Sequence, residues 1–256
     1  VEASYYMVNG TTAVMDAASA VGLSMIPPER RDIMTATSAG VGELIMDARR
    51  NGATEILLGV GGTSTCDGGR GIYEVLTNRG FSDCAVTVLC DVDNPLYGPE
   101  GAAYVFAPQK GASAAQVRIL DDRLREWNRR MISLGGLDVS GMPGAGAAGG
   151  IAGMLASLFG ARLVAGADYI AQAIGLEQAM ERVDAVLTGE GRIDTQTLHG
   201  KVLSRVMDLA NRFGVPVQAY AGCVERNTEL DALFSSLNVI TPAGMTLSKA
   251  MERDTA

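Results

Sequence analysis

The chain has 256 residues, 47% of them hydrophobic, which is enough to bury the core of one large domain or two smaller ones. Its 29 acidic residues outnumber its 21 lysines and arginines, and the resulting net charge of −8 argues against nucleic acid or an anionic membrane as a partner. The four cysteines form no C-x-x-C pair and no regular spacing, which disfavours a zinc ribbon or a disulfide framework and favours a cytoplasmic location.

Helices and strands are predicted to alternate in the first half of the chain. A helix over 38–52, capped by Ser38, precedes a strand over 55–60. A glycine-rich loop then leads to a helix over 71–78 and a strand over 85–90. Apolar residues at helical spacing predict a long helix over 117–134. This alternation is typical of an α/β fold.

The stretch between Asp138 and Arg162 carries no charged residue and is long enough to cross a membrane. Glycine and alanine dominate it, however, and Pro143 lies near its start. We therefore predict a buried helix with a glycine-rich entry.

The last part of the chain has the most regular alternation. Strands are predicted over 184–188, 215–221 and 238–241, with helices ending at Phe213, over 228–234 and from Thr246 onward. Parallel strands joined by helices predict a doubly wound parallel sheet. We expect a mixed α/β domain over 1–180 and a Rossmann-like domain over 181–256.

The glycine-rich loop over 59–71 follows a strand and precedes a helix. Its backbone N–H groups at Gly61, Gly62, Thr63 and Ser64 would converge on a phosphate or carboxylate, and Asp67 adds an acid. A tight turn between strand and helix is the alternative.

A second polar segment follows the strand over 85–90. Asp91, Asp93 and Asn94 offer oxygen atoms that would hold Mg²⁺ or fix substrate hydroxyls, although these residues are equally common in turns before a proline. Gln109 and Lys110 come shortly afterwards, with an exposed turn as the alternative.

The segment over 143–150 is rich in glycine and alanine and includes Gly146. Small residues there permit either close approach by a ligand or tight packing against another backbone, and both readings stay open.

The stretch over 187–201 places charged side chains between a strand and a helix. Asp194 would accept a proton from a substrate hydroxyl, while Arg192 and Lys201 would offset charge on a transferred phosphoryl group. Glu190 would help to bind a metal. In the alternative, Asp194 and Thr195 cap the helix and Lys201 is a surface charge.

Taken together, four segments of the chain resemble the bacterial type 1 glycerate kinase family. They are Gly61–Gly69, Cys90–Gly111, Gly144–Gly150 and Thr188–Lys201, and in that order they cover most of the chain. The resemblance implies transfer of the γ-phosphoryl group of ATP to D-glycerate with Mg²⁺, giving a phosphoglycerate for which the 2-phospho product is favoured over the 3-phospho product. The sequence is compatible with a homodimer.

The resemblance also implies an architecture. One Rossmann-like domain would be built from both ends of the polypeptide, a second α/β domain would be inserted between them, and the active site would lie in the interdomain cleft. The family's amino-terminal motifs, of the Asp-Ser-Phe-Lys and Ala-Asp-Gly-Gly-Glu-Gly types, are expected before Val1. The chain is also shorter than its relatives between Asn78 and Ala85, so we expect a truncated enzyme.

The candidate site residues fall into three groups. The catalytic candidates are Asp67, Arg192, Asp194 and Lys201. The substrate- and phosphate-binding candidates are Gly61, Gly62, Thr63, Ser64, Asn94, Gln109, Lys110, Gly146, Gly189 and Gly191. The metal candidates are Asp91, Asp93 and Glu190.

Two other functions remain open from the residues. An NAD(P)-dependent oxidoreductase would use the turn over 60–62 and Asp91, but Ser64 occupies the third glycine position of that fingerprint. The gap from Gly59 to Asp91 also exceeds the roughly 20 residues expected of it. An inactive fragment that only binds ligand is the other alternative.

Overall fold

The computed structural model describes residues 1–194, 201–225, 228–242, 244–245 and 247–250. The chain divides into two compact units, Val1–Gly166 and Ala167–Ala256. The division therefore lies before the domain boundary expected near residue 180. An active site in the cleft between two domains stays a prediction.

The first unit is built on a five-stranded sheet whose strand order follows the order along the chain. Its strands are β1 (Tyr5–Val8), β2 (Thr12–Asp16), β3 (Glu55–Gly59), β4 (Ala85–Leu89) and β5 (Arg162–Val164). β1 and β2 pair antiparallel, whereas β2 to β5 are parallel. The carboxyl ends of β2, β3 and β4 thus meet at one edge of the sheet, where α/β proteins usually place their ligands.

Six α-helices accompany this sheet. They are α1 (Ala18–Val21), α2 (Ala39–Arg50), α3 (Arg70–Asn78), α4 (Ala102–Phe106), α5 (Ala114–Ser133) and α6 (Ala147–Phe159). Short 3-10 helices lie at Leu23–Met25, Pro28–Arg30 and Pro108–Lys110. The predicted elements α2, β3, α3, β4 and α5 are confirmed, with bounds that differ by a few residues. The antiparallel β1–β2 hairpin was not predicted.

The core of the first unit forms where apolar side chains of the sheet meet the helices. Ile56 and Leu58 of β3 are completely buried, and Leu57 on the opposite face is also buried, as expected for a parallel strand covered on both faces. Ile151 and Met154 of α6 are also completely buried, which confirms a buried helix in the uncharged stretch. None of the described helices combines the length and the hydropathy needed to cross a bilayer.

The second unit contains a parallel sheet in which β6 (Val186–Ile193), β7 (Val217–Val224) and β8 (Ser236–Val239) lie in chain order. Its helices are α7 (Gly166–Ala173), α8 (Leu176–Met180), α9 (Lys201–Phe213), α10 (Thr228–Leu233) and α11 (Leu247–Ala250). In a doubly wound sheet the strand order reverses at one point. The described strands β6, β7 and β8 show no such reversal, so the doubly wound, Rossmann-like arrangement stays a prediction.

One correction concerns β6. The sequence predicts a strand that ends at Thr188 and a polar loop after it, but the strand continues to Ile193. Its pairing with β7 extends to Ile193 opposite Val224. Backbone pairing with β7 therefore overrides the loop propensity of Gly189 and Gly191.

Two glycine-rich segments of the first unit pack backbone against backbone. Gly68 N donates to Gly149 O at 2.9 Å. A Cβ atom on Gly149 would lie 2.2 Å from Thr65 O, and one on Gly150 would lie 2.8 Å from Gly68 Cα. Ala148, Gly149 and Gly150 all have positive φ, which produces a kink at the start of α6. Only residues without a side chain allow this approach at 149 and 150.

We predict that Gly149→Ala destabilises the protein much more than Gly160→Ala. The two glycines have nearly equal φ values, +68° and +65°, but nothing lies within 4 Å of a Cβ at Gly160. Gly160→Ala should therefore cost only the strain of a left-handed alanine, about 1 kcal/mol. Gly149→Ala adds the clash with Thr65 and should cost roughly 3 kcal/mol or more. Urea unfolding measures both, and equal losses would contradict the packing described here.

Candidate functional site

A cavity of about 430 Å³ lies at the carboxyl ends of β3 and β4. It brings together residues from several loops that are far apart in the sequence. Among the predicted site residues, the cavity is lined by Gly61, Gly62, Thr63, Asp91, Gln109 and Lys110. Residues from three of the predicted binding segments therefore lie around one cavity, while their roles stay predictions.

Lys110 is the most unusual residue of this cavity, because its side chain is only 4% exposed. Its ammonium donates to Thr65 O at 2.8 Å and to Thr63 Oγ1 at 3.3 Å. Both acceptors belong to the glycine-rich loop. The predicted alternative of an exposed turn lysine is therefore wrong.

Burial lowers the pKa of Lys110 to about 8, because the charged form loses water without gaining an ion pair of its own. The neighbouring Cys66 and Asp67 oppose this change. Burial also raises the pKa of the Cys66 thiol to about 11, so this cysteine is neutral at physiological pH. The cavity consequently holds a positive charge in surroundings of low polarity, which strengthens its attraction for an anion.

Another part of the cavity wall comes from the start of α6. Ala147 and Ala148 line the cavity there, and Ala148 has a φ of +53°. A left-handed alanine costs about 1–2 kcal/mol relative to its ordinary conformation. Such strain is concentrated at ligand sites in proteins.

Asp67 does not line this cavity; it lies in the same loop but on a different cavity of the first unit. One carboxylate oxygen accepts bonds from Ser38 N and Oγ, both at 2.8 Å, and from Gly71 N at 3.1 Å. The other oxygen accepts from Gly69 N at 3.1 Å. These four bonds connect the start of α2, the loop and the start of α3.

The same contacts correct the prediction for Ser38. It precedes α2, but its side chain makes no capping hydrogen bond to that helix. Its hydroxyl instead donates to Asp67 and accepts from Ile72 N at 3.2 Å. The hydroxyl oxygen that would accept from an N–H group of α2 in a helix cap accepts from Ile72 N of α3 instead.

Three predicted ligand-binding residues make contacts within the protein and do not line the cavity. Ser64 Oγ donates to Val21 O at 2.9 Å. Asn94 Nδ2 donates to Glu100 O at 2.8 Å, and its backbone carbonyl accepts from Gly146 N at 2.9 Å. A Cβ on Gly146 would lie 2.3 Å from Pro95 O, which explains the glycine by packing.

The carboxylates predicted to bind metal lie in both units. Asp91 lines the cavity, Asp93 follows it on an exposed segment, and Glu190 lies on β6 of the second unit. Within the described ranges, no three His, Cys, Asp or Glu side chains form a group that could hold a metal ion. The assignment of these residues to a metal stays a prediction.

Charged residues of β6 and the following turn form an ion-pair network. Arg192 Nε lies 3.1 Å from an Asp194 carboxylate oxygen, and the same guanidinium pairs with Glu225. The Asp194 side chain is only 19% exposed. Thr195 and the side chain of Lys201 are outside the described residues, so the predictions made for them stay predictions.

Sequence reasoning missed three contributors to these arrangements. They are Ser38, which holds Asp67; Ala148, which lines the cavity; and Glu225, which pairs with Arg192. Ser38 and Asp67 are 29 positions apart, and Arg192 and Glu225 are 33 apart. No local pattern links such pairs, and only the unusual alanine-glycine run around Ala148 gave a signal.

Comparison with protein families identifies a match along the whole chain. The model of the glycerate kinase family matches residues 1–82 and 77–256. Glycerate 2-kinase of Escherichia coli strain K12 is 38% identical over 267 aligned residues, which cover 91% of this chain and 70% of that protein. Glycerate kinase of Bacillus subtilis strain 168 is 36% identical, with 96% of this chain and 72% of that protein covered.

A solved structure gives the same result at the level of the fold. The crystal structure assigned to glycerate kinase 2 of Salmonella typhimurium LT2 superposes with a TM-score of 0.76 at 33% sequence identity. The superposition covers 98% of this chain and 75% of that one.

We predict that the buried charge of Lys110 makes stability depend on pH. The pKa is about 8 in the folded protein and near 10.5 when the chain is unfolded, so the unfolded chain binds more protons between these values. Stability should therefore rise with pH across this window, by about 3 kcal/mol relative to Lys110→Met. Urea unfolding of both proteins from pH 7 to about 11 measures the difference. A difference that stays constant with pH would show that Lys110 titrates normally.

Proposed function

The chain belongs to the glycerate kinase family, and we propose that it transfers the γ-phosphoryl group of ATP to a hydroxyl of D-glycerate. The observation that carries the proposal is the buried lysine of the cavity at the ends of β3 and β4. This lysine lines the cavity together with Gly61, Gly62 and Gln109. A fixed cation beside a glycine-rich loop is suited to an anionic group such as a phosphate or a carboxylate.

Phosphoryl transfer requires positioning and compensation of negative charge more than it requires covalent chemistry. We propose that Lys110 and the backbone of Gly61–Thr63 bind a phosphate or the glycerate carboxylate. The low polarity around Lys110 supports this role, because an ion pair gains more energy there than in water. Gln109 would add a neutral hydrogen-bond donor that orients the bound group.

We assign the proton transfer to Asp194 in preference to Asp67. The Asp67 carboxylate already accepts four hydrogen bonds from Ser38, Gly69 and Gly71. An acceptor engaged in this way is poorly placed to take a further proton from a substrate hydroxyl. The Asp194 carboxylate is oriented by its ion pair with Arg192, at 3.1 Å.

The residues present fit Mg²⁺ in the form that kinases commonly use. Mg²⁺ is usually held by one or two carboxylates together with phosphate oxygens and water, so a group of three protein carboxylates is not required. Asp91, which shares the cavity with Lys110, is our primary candidate ligand, and Asp93 and Glu190 are the others. When bound, the ion would offset charge on the phosphates.

Other parts of the proposal rest on the family. We propose the 2-hydroxyl as acceptor, a cytoplasmic location and a Rossmann-like arrangement for the domain that includes the second unit. The family match covers the segments on which the NAD(P)-dependent alternative depended, so we do not retain that alternative. The inactive-fragment alternative is decided by the assay below.

We predict glycerate-dependent release of ADP when the chain is supplied with ATP, Mg²⁺ and D-glycerate. A coupled assay for ADP measures the rate, and NMR of the product identifies the phosphorylated hydroxyl. Omission of glycerate is the control, since it reveals any background hydrolysis of ATP. Release of ADP at the same rate with and without glycerate would refute the proposed activity for this chain.

We predict that one Asp→Asn substitution lowers turnover and that another lowers stability. Asp194→Asn should lower turnover by roughly 10²–10⁴-fold and leave the thermal midpoint nearly unchanged, because the amide keeps the shape but cannot accept the proton. Asp67→Asn should instead lower the free energy of unfolding by about 2–3 kcal/mol, because an amide cannot replace all four accepted bonds.

Turnover and urea unfolding of both variants separate the two roles. If Asp67→Asn keeps normal stability but loses most of its turnover, Asp67 and not Asp194 is the general base. An unchanged rate in Asp194→Asn would assign Asp194 to a structural role.

A further inference from the structure

The first unit contains another cavity, of about 690 Å³, which is lined by a later part of the glycine-rich loop. It lies between α3, α5 and the segment over 33–36. None of the residues to which we assign a role in phosphoryl transfer lines it. The cavity therefore needs an explanation separate from the proposed kinase reaction.

Part of its wall is aromatic. The rings of Tyr73 and Trp127 meet edge to face with centroids 5.4 Å apart. Trp127 Nε1 donates to Gly68 O at 2.9 Å, so the indole is fixed in place. Leu120 and Leu124, each 1% exposed, add apolar surface beneath the rings. This wall is suited to a flat apolar group.

Three arginines stand around the aromatic wall. Arg70 comes from α3, and its guanidinium lies over the Trp127 ring, 5.9 Å from the centroid. Arg123 and Arg130 come from α5, about one turn before and one turn after Trp127 on the same helix face. The Arg123 guanidinium donates to Met34 O at 3.2 Å, which leaves most of its N–H groups for other acceptors. No side-chain partner of Arg130 is found within the part of the chain that the structure describes.

Three carboxylates also line the cavity, but two of them are already engaged. Glu74 pairs with Arg70 at 2.9 Å, and Asp67 is held by its four hydrogen bonds. Glu126 lies on α5 near Arg123 and Arg130, but neither arginine has a carboxylate within salt-bridge distance in the described chain. The formal charges of the lining balance, and Arg123 and Arg130 are the two cations left to pair with a ligand.

We propose that this cavity is a binding site for a planar organic anion. The ring of the ligand would lie against Trp127 and Tyr73, and its carboxylate or phosphate would bind Arg123 and Arg130. Guanidinium groups form paired hydrogen bonds with such oxyanions. Aromatic surface and two guanidinium groups without a carboxylate partner in the described chain occur together here, as this class of ligand requires.

The location of the site connects it to the glycine-rich loop. Cys66 and Asp67 line this cavity, whereas Gly61, Gly62 and Thr63 of the same loop line the cavity that contains Lys110. A ligand at the aromatic wall would therefore restrain a later part of the loop than the one that carries the phosphate-binding candidates.

Benzoate is a suitable probe, and benzamide is its uncharged counterpart of nearly the same shape. Trp127 is the only tryptophan of the chain, so its fluorescence reports on this cavity alone. We expect a saturable change in Trp127 emission with benzoate and an affinity for benzamide that is at least about tenfold weaker. Absence of saturation, or equal affinity for the two compounds, would overturn the proposal.

Two neighbouring arginines of α5 provide a matched pair of variants. Arg130→Gln should weaken benzoate binding by about fivefold to tenfold, whereas Arg129→Gln, which removes an exposed arginine outside the cavity, should leave it within about twofold. Thermal midpoints of both variants should match that of the unaltered chain. Equal affinities of the two variants would show that benzoate binds elsewhere. The titration uses neither glycerate nor ATP, so its outcome is independent of the proposed kinase activity.

Discussion

The close contact between two glycine-rich backbones is the constraint on which the first unit depends. Gly149 and Gly150 approach Thr65 and Gly68 so closely that side chains at either glycine would collide with the loop. The hydrogen bond from Gly68 N to Gly149 O fixes the register of the two segments. This contact sets the separation between the loop after β3 and the start of α6, which are two walls of the candidate site.

The buried ammonium of Lys110 follows from that arrangement. With the loop held in place, the carbonyl of Thr65 and the hydroxyl of Thr63 offer the lysine two acceptors, but neither carries a charge. Burial of a cation with only neutral acceptors costs free energy, which appears as the lowered pKa. A bound anion would supply the missing charge and recover part of that cost. The protein thus keeps the Lys110 ammonium buried at a cost in free energy, and a bound phosphate or carboxylate would lower that cost.

The sequence allowed the central part of the fold to be predicted, because its signals are local. Continuous apolar runs identify β3 and β4, and residues after neighbouring parallel strands must meet at one edge of the sheet. That geometry explains why Gly61 and Asp91, which follow β3 and β4, lie in one cavity. Lys110 belongs to a 3-10 helix after α4, so strand order alone does not predict its place there.

The features that were missed depend on distant partners. The length of β6 is set by its pairing with β7, although its own glycines and charges are typical of a loop. The role of Ser38 depends on a carboxylate in another segment, so the local pattern of a helix cap was misleading. Partners of this kind become visible only when the chain is folded.

The hydrogen bonds of Asp67 indicate how the glycine-rich loop works. A loop rich in glycine is flexible in isolation, because each glycine has many accessible backbone conformations. Here Asp67 joins the loop to the starts of α2 and α3, and the contact with Gly149 restrains it from a further direction. The part next to Gly61 is restrained by hydrogen bonds from Leu23 N to Gly62 O and from Ser64 N to Val21 O, both 2.8 Å. Binding an anion there therefore requires little additional ordering. The loop is therefore a preorganised part of the candidate site, and its glycines serve close packing as much as access for a ligand.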